Sequence, residues 1–471
     1  MRGQPPGRFP QNVTHGTHVA GLAAGTIQQH RCVWDNINAA PEEFPIIAVN
    51  LPTSIVSDTG GSFMAAAVVL GIQHILETAK KINGNEDVPV VINLSFALLG
   101  SGMGGARLIS RFIDDAIESW RQEGRTLIFV LPAGNNFQDA LVGELEIEAN
   151  AKGTIEFEID PSNRTSTFIE FVVETQKEIT TTSDFRLELE SEARGTVRDG
   201  PSEKIKLRSS LFLKDRNSRS GEIKAGVYYG FRIDAPSASA QIDQAVGREI
   251  ITLALPPHKN ADGKESNETA GKWTATLENI SAPNAKVTVR MLRNDDPLGN
   301  QQQQTARLLN GKTADPNTCK ITQNYSLNAI AASGSSVIVG ASYVNREAMS
   351  PYSSAGPITP LDGGTDTPGV TLHAPADRNE TERGLLGPGA ISDTQNGRSK
   401  SMSGTSVAAP LVSRWFVNFL SQNKGATRAD ALKAILKDAK RGPHSSAKDK
   451  KNTARTGVGG LSTRLAGRKS R

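Results

Sequence analysis

The chain has 471 residues, of which 37% are hydrophobic and 44 are glycine, a globular composition at a length that excludes one ordinary core and predicts two or three domains. The net charge is +4, but residues 440–471 hold ten Lys or Arg against Asp449, close to +9, so the remainder sits near −5. No run of about 18 apolar residues is present, which excludes a membrane-spanning helix, and Cys32 and Cys319 fit no zinc spacing and by number alone define no disulfide.

The first element expected is a short helix from a Thr14 cap to Gly25, with Val19, Leu22 and Ala23 on its packed face. Ile46 to Leu51 reads as a strand, Ser57 to Gly61 as a Gly-rich loop, and Ser62 to Lys81 as an apolar helix. Val88 to Leu94 and Thr126 to Val130 are short apolar runs of the kind buried in a parallel sheet. Between them Leu108, Phe112, Ala116, Ile117 and Trp120 recur at helical spacing until Gly124. This alternation predicts an α/β layered arrangement over residues 1–139.

The period then changes. From Leu141 to Leu292 apolar and polar residues alternate, as in Leu145-Glu146-Ile147-Glu148, Ile155-Glu156-Phe157-Glu158-Ile159, Phe185 to Leu189, Val227 to Tyr229, Trp273 to Leu277 and Lys286 to Arg290. Such segments, parted by Gly, Pro, Asn and Ser turns, predict an inserted antiparallel β-sandwich over 140–300. Gln301 to Gln304 opens a polar stretch expected as the return linker, 301–325. The α/β pattern resumes over 326–440, with Ser336 to Ala341 as a strand, Val407 to Gln422 as a helix and Ala429 to Lys440 as a second, amphipathic one. Residues 441–471 are expected to be a solvated, disordered tail, since they hold no aromatic residue for stacking on nucleic acid.

Three segments carry chemistry. Ser403-Gly404-Thr405-Ser406-Val407-Ala408-Ala409-Pro410 puts a serine at a helix start, where the positive end of the dipole helps a weak nucleophile. Pro410 is expected to be tolerated because it lies near the first turn. His15, in His15-Gly16-Thr17-His18-Val19-Ala20-Gly21, is a candidate base. Asn135 follows the apolar strand in Leu131-Pro132-Ala133-Gly134-Asn135, where its amide could donate to an oxyanion or merely form a turn.

In this order of histidine, asparagine and serine, the three segments resemble the subtilisin-like serine proteases, the subtilase or peptidase S8 family. The resemblance implies a subtilisin-like layered α/β fold with a parallel sheet, here interrupted by a β-sandwich similar to the jelly-roll accessory domains of larger subtilases. It implies peptide substrates, His15 as general base, Ser406 as nucleophile, and Asn135 with the Ser406 N–H as oxyanion donors. Ser95, Phe96 and Ala97 take the place of the substrate edge. There the family's Ser-Leu-Gly-Gly is replaced by Ser95-Phe96-Ala97-Leu98-Leu99-Gly100, and the bulk at Ala97 and Leu98 predicts a narrower or rerouted primary pocket. No cofactor is implied. Gln28 to Asp35 stands where a calcium loop often follows the histidine helix, so no metal is expected.

The triad aspartate is the departure. No aspartate precedes His15, and Asp58-Thr59-Gly60, though it matches the pattern, follows the histidine in a Gly-rich loop. Asp35 lies in a polar loop with nothing to orient it toward His15. In a subtilisin, loss of the aspartate alone lowers turnover roughly 3 × 10⁴-fold, against about 2 × 10⁶ for the serine or histidine. Two explanations stand open: the acid comes from an unexpected place, or the family's first strands precede Met1 and the N-terminus is incomplete. The absence of a signal-peptide core therefore assigns no location. The function expected is a serine endopeptidase. The alternative is a catalytically impaired scaffold that binds a protein or glycan through the β-sandwich.

Overall fold

A computed structural model describes residues 12–25, 45–52, 55, 62–84, 87–98, 105–174, 184–192, 210–214, 223–234, 246–260, 263–265, 267–280, 283–292, 305–311, 317–344, 348–357, 369–379, 381, 383–389, 399–441 and 453–461. Cys32, Asp35, the Asp58 loop, Gln301 to Gln304 and most of the basic tail lie outside the described residues.

A four-stranded parallel sheet in the order β1-β2-β14-β15 positions the site, from β1 (Val90–Asn93), β2 (Leu127–Pro132), β14 (Val337–Tyr343) and β15 (Leu372–Asp377). β2 is buried throughout, and its side chains divide by strand periodicity. Leu127, Phe129 and Leu131 enter one apolar core with helices α2 (Ser62–Asn83) and α3 (Gly105–Gln122), while Ile128 and Val130 enter a second with α1 (Asn12–Ala24), α4 (Thr405–Gln422) and α5 (Arg428–Arg441).

Of the stripe expected on α3, Ala116, Ile117 and Trp120 are buried and Phe112 packs against the core, but at its start the buried face lies one residue further on. Ile109, Ile113, Ala116, Ile117 and Trp120 are buried, whereas Leu108 is 53% exposed. Ile109 and Ile113 sit in line with Trp120 in the 3.6-residue repeat. Residues 45–52 form no strand. An apolar run becomes a strand only with a ladder partner, and none pairs with it among the described residues; Ile47 and Leu51 instead pack against the α2–α3 core. Helix α1 begins at Asn12, so Thr14 lies within its first turn and not at its cap.

Between β2 and β14 lie β3 (Val142–Ile147), β4 (Lys152–Ile159), β5 (Thr167–Glu174), β6 (Phe185–Ser191), β7 (Ser210–Lys214), β8 (Ile223–Asp234), β9 (Val246–Leu255), β10 (Gly271–Asn279), β11 (Ala285–Met291), β12 (Ala306–Leu309) and β13 (Lys320–Thr322), which pair only with one another. They form a sheet in the order β12-β4-β10-β6 and a second in the order β13-β3-β11-β5-β9-β8-β7, with every strand pairing in them antiparallel. Both sheets contribute to one apolar core, where Phe157 of β4 stacks on Trp273 of β10. The alternating glutamates point outward, and Glu158 pairs with Arg307 at 2.9 Å. The stretch expected as a linker carries two strands. β12 pairs with β4, and β13 pairs with β3, because each sheet has an edge whose backbone groups need partners.

Part of the expected tail is structured. Residues 453–461 form a short helix, α6 (Thr453–Thr456), and a parallel bridge from Gly460 to His373 of β15. Leu461 is buried in the α4 core, and Arg455 is captured by backbone carbonyls, interactions that outweigh the segment's charge.

Candidate active site

Helix α4 carries Ser406 as its second residue. Its N-cap, Gly404, has φ 135°, a conformation that strains any L side chain, and a Cβ there would lie 3.2 Å from Asn135 Nδ2. The residue is thus glycine for both conformation and room. The half-buried Ser406 stands at the positive end of a helix whose next residues, Val407 to Phe416, are all buried. Pro410 is not within the first turn. Its missing N–H would have bonded to the Ser406 carbonyl four residues earlier, and Ser95 Oγ donates to that oxygen at 3.0 Å instead.

Asn135 lies just beyond β2, on the loop that meets the start of α4. Its Oδ1 accepts from Thr405 N at 2.8 Å and from Thr405 Oγ1 at 2.9 Å, and Thr405 Oγ1 in turn accepts from Gly134 N at 3.0 Å. With Oδ1 accepting from Thr405, the orientation of the amide is set and Nδ2, its only donor, faces the other way. Gly134, at φ 108°, lets the loop pass close to Ser354, whose Oγ accepts from Asn136 N.

His15 is half-buried on α1, which lies against α4 through Leu22 and is tied to it where Arg414 Nη1 donates to Gly25 O at 2.7 Å. Among the described residues His15 has no hydrogen bond to Ser406. Burial, and secondarily the nearby His18, lower its pKa to about 4, so the imidazole is neutral at pH 7. No carboxylate contributes to that shift, so the acid missing from the sequence does not act on His15 among the described residues either.

Ser95, Phe96 and Ala97 follow β1 as a half-buried, irregular segment. Ser95 Oγ, besides bonding the Ser406 carbonyl, accepts from Asn93 Nδ2 at 2.9 Å. Asn328 clamps the segment from below: its Nδ2 donates to Phe96 O at 2.8 Å and to Pro132 O at 3.2 Å, while its Oδ1 accepts from Leu98 N. Leu98 departs from the expectation of a crowded primary pocket. It is 3% exposed and packs in the core with α2 and α3, so its bulk supports the edge and does not narrow it.

Sequence reasoning missed Asn328, Tyr352, Asp377 and Arg455. Asn328 is marked by a polar residue within the apolar run Leu327-Asn328-Ala329-Ile330, a place where burial demands a full set of partners. Asp377 is 1% exposed; it accepts from Tyr352 Oη at 2.6 Å, Ser350 Oγ at 2.5 Å and Gly384 N at 2.8 Å. Tyr352 Oη accepts from Gly404 N at 2.8 Å. Arg455 donates to the carbonyls of Ser350, Pro351 and Ser353 and lies 3.9 Å from the Phe137 ring centroid. No local sequence signal links these residues.

No curated protein matches the chain. Among solved structures, the CspB protease of Clostridium perfringens is 17% identical, with 96% of this chain and 78% of that one covered at a TM-score of 0.59, which shows a shared fold. The epidermin leader-peptide-processing serine protease of Staphylococcus aureus is 20% identical over 30% of this chain and 33% of its own, at a TM-score of 0.21. A protease of Pseudoalteromonas arctica is 18% identical over 30% of this chain and 38% of its own, at a TM-score of 0.23. The model of the subtilase family matches residues 4–169 and 244–459, most of the chain, including all three motif segments. The chain therefore belongs to the subtilase family of serine proteases.

Proposed function

We propose that the chain is a serine endopeptidase that cleaves peptide bonds through an acyl-enzyme, with Ser406 as nucleophile and His15 as general base. The observation that carries this reading is the pair of hydrogen bonds from Thr405 to Asn135 Oδ1. It joins the asparagine loop to the start of the helix that carries Ser406 and supports the assignment of Asn135 Nδ2 and the Ser406 N–H, which has no carbonyl one turn back within the helix, as the oxyanion donors.

In this mechanism Ser406 Oγ attacks the substrate carbonyl carbon as neutral His15 takes the hydroxyl proton. Negative charge moves onto the carbonyl oxygen, held by Asn135 Nδ2 and Ser406 N–H. The tetrahedral intermediate collapses, the C–N bond breaks, and the His15 imidazolium protonates the leaving amine. Water, deprotonated by His15, then attacks the ester carbonyl, the acyl–Oγ bond breaks, and the His15 imidazolium returns the proton to Ser406 Oγ. Burial favours the neutral base before attack but opposes the imidazolium formed during it. Turnover is therefore slow unless a carboxylate reaches His15. Ser95, Phe96 and Ala97 are the edge along which an extended substrate lies.

On this reading residues 1–139 and 326–440 are the two parts of a layered α/β catalytic domain, and 140–300 is an inserted, jelly-roll-like accessory domain. The period-two alternation and the antiparallel pairing of β3 to β13 with one another support this division, and the family match is interrupted only between residues 169 and 244. The test is labelling with a fluorophosphonate probe beside Ser406→Ala and His15→Ala. Labelling of the wild type alone is expected, and none that depends on Ser406 overturns the proposal.

A further inference from the structure

Asp377 and Tyr352 stand behind the proposed oxyanion site and take no part in the steps above. Asp377 is at the end of β15, and Tyr352 on the loop after β14, yet together they reach the residue two before the nucleophile. The order of donors along this chain of bonds is fixed by chemistry. A phenol has one proton and can accept at the same oxygen. With its proton given to the Asp377 carboxylate, the Tyr352 oxygen has its lone pairs free for the Gly404 N–H. A carboxylate acceptor also polarises the phenol and strengthens the second bond. Burial, followed by the Asp377 charge, pushes the Tyr352 pKa upward, so the phenol keeps that proton at neutral pH.

The consequence falls on the start of α4. Gly404 N–H is held by Tyr352, and Thr405 N–H is held by Asn135 Oδ1. Of the first three backbone donors, Ser406 N–H alone has no partner among the described residues. Gly404 also lies next to the Asn135 amide, with Nδ2 3.2 Å from where a Cβ would stand, and its φ of 135° is a soft glycine conformation that neither a side chain of its own nor an intrahelical bond from its N–H restrains. The phenol supplies that restraint. The loop that carries Tyr352 is itself pinned by the guanidinium of Arg455 at three carbonyls.

We infer that Tyr352 and Asp377 are positioning residues for the oxyanion-binding side of the site, acting through the Gly404 N–H to set where Ser406 N–H and Asn135 Nδ2 converge. The inference rests on the Ser406 reading above. It differs from a purely stabilising role in what it predicts: loss of the bonded pair slows the chemical step, out of proportion to lost stability, without weakening initial binding.

The experiment measures fluorophosphonate labelling over a range of probe concentrations for the full chain, Tyr352→Phe, Asp377→Asn and the double variant, with Tm recorded for each. Val289→Ala, in the core of the antiparallel sheets and remote from these bonds, serves as a stability control. The expected result is a saturating rate about 10- to 100-fold lower in both single variants, somewhat less than loss of a direct oxyanion donor. The half-saturation concentration should stay within about twofold, and the double variant should be little worse than the slower single one, because the two residues act as a unit. Val289→Ala should lower Tm and leave the rate alone. Wild-type rates in folded variants, or losses that merely follow Tm as in the control, overturn the inference and leave the serine-protease reading intact. A wild type that shows no Ser406-dependent labelling sinks that reading and this inference with it. Tyr352→Phe removes a single oxygen and decides the matter if Asp377→Asn does not fold.

Discussion

Ser95 Oγ donates to the carbonyl of Ser406, the oxygen left without a helical partner by Pro410. The segment proposed to hold substrate and the helix carrying the proposed nucleophile are therefore one hydrogen-bonded unit. Ser95→Ala should strand that carbonyl, at a cost of about 1–3 kcal/mol. Urea denaturation should register the loss, and labelling of Ser406 should slow with it.

Asn135 has separable duties at its two amide atoms. Asn135→Asp retains an acceptor for Thr405 N and Oγ1 but removes the Nδ2 donor, so labelling should fall by about 10²–10³ while the fold persists. Asn135→Ala should lose the rate and also about 1–3 kcal/mol of stability, because Thr405 N–H then lacks its partner. Equal Tm values for the two variants would contradict this division.

His15 gives a pH signature. Its folded pKa, about 4, is below the ordinary histidine value of 6.5. Between these values the unfolded chain binds more protons at this position, so its contribution makes stability rise with pH from about 4 to 6.5 and level off above. His18 is shifted in the same direction, by burial first. Labelling should decline only as pH falls through about 4, where His15 itself takes a proton; a midpoint near 6.5 would refute the buried-base description.

The groups proposed to react are legible in the sequence because each sits in a short segment whose spacing serves one purpose. Gly404 must be glycine for its φ, Ser406 must start a helix, and Asn135 must end a strand, and all three requirements are local. What holds these groups is not legible. The bonds that link Asn328 to Phe96, Tyr352 to Asp377 and Gly404, and Arg455 to Ser350 each join residues far apart in the chain, and Asp377 alone looks like any loop acid. The strands of 140–300 are visible where one face is apolar and the other wet. β5 (Thr167–Glu174) and β9 (Val246–Leu255) are not, because Val172 and Ile250 are buried on the opposite face as well, which erases the alternation.

Leu98 provides a check on the substrate edge. Leu98→Ala should cost about 2–5 kcal/mol as a buried truncation, with no change in the size of side chain accepted by cleaved peptides. A library digest by the variant would show a broadened preference if Leu98 instead walled the pocket.

Arg455→Ala should release three carbonyls of the 350–353 loop and destabilise the chain by about 1–3 kcal/mol. Arg455→Lys should not rescue it, since an ammonium cannot reproduce the planar fork that spans Ser350, Pro351 and Ser353. Thermal melts of the two variants and the wild type check both statements.

The same arginine bears on the order of synthesis. His15 and Asn135 emerge early and Ser406 much later, and the loop that steadies Gly404 is secured only once residue 455 has been made. A nascent chain that has just exposed Ser406 still lacks the Arg455 clamp, so on the proposed reading the full set of contacts around the site forms only after the residues from 407 to 455 have been made.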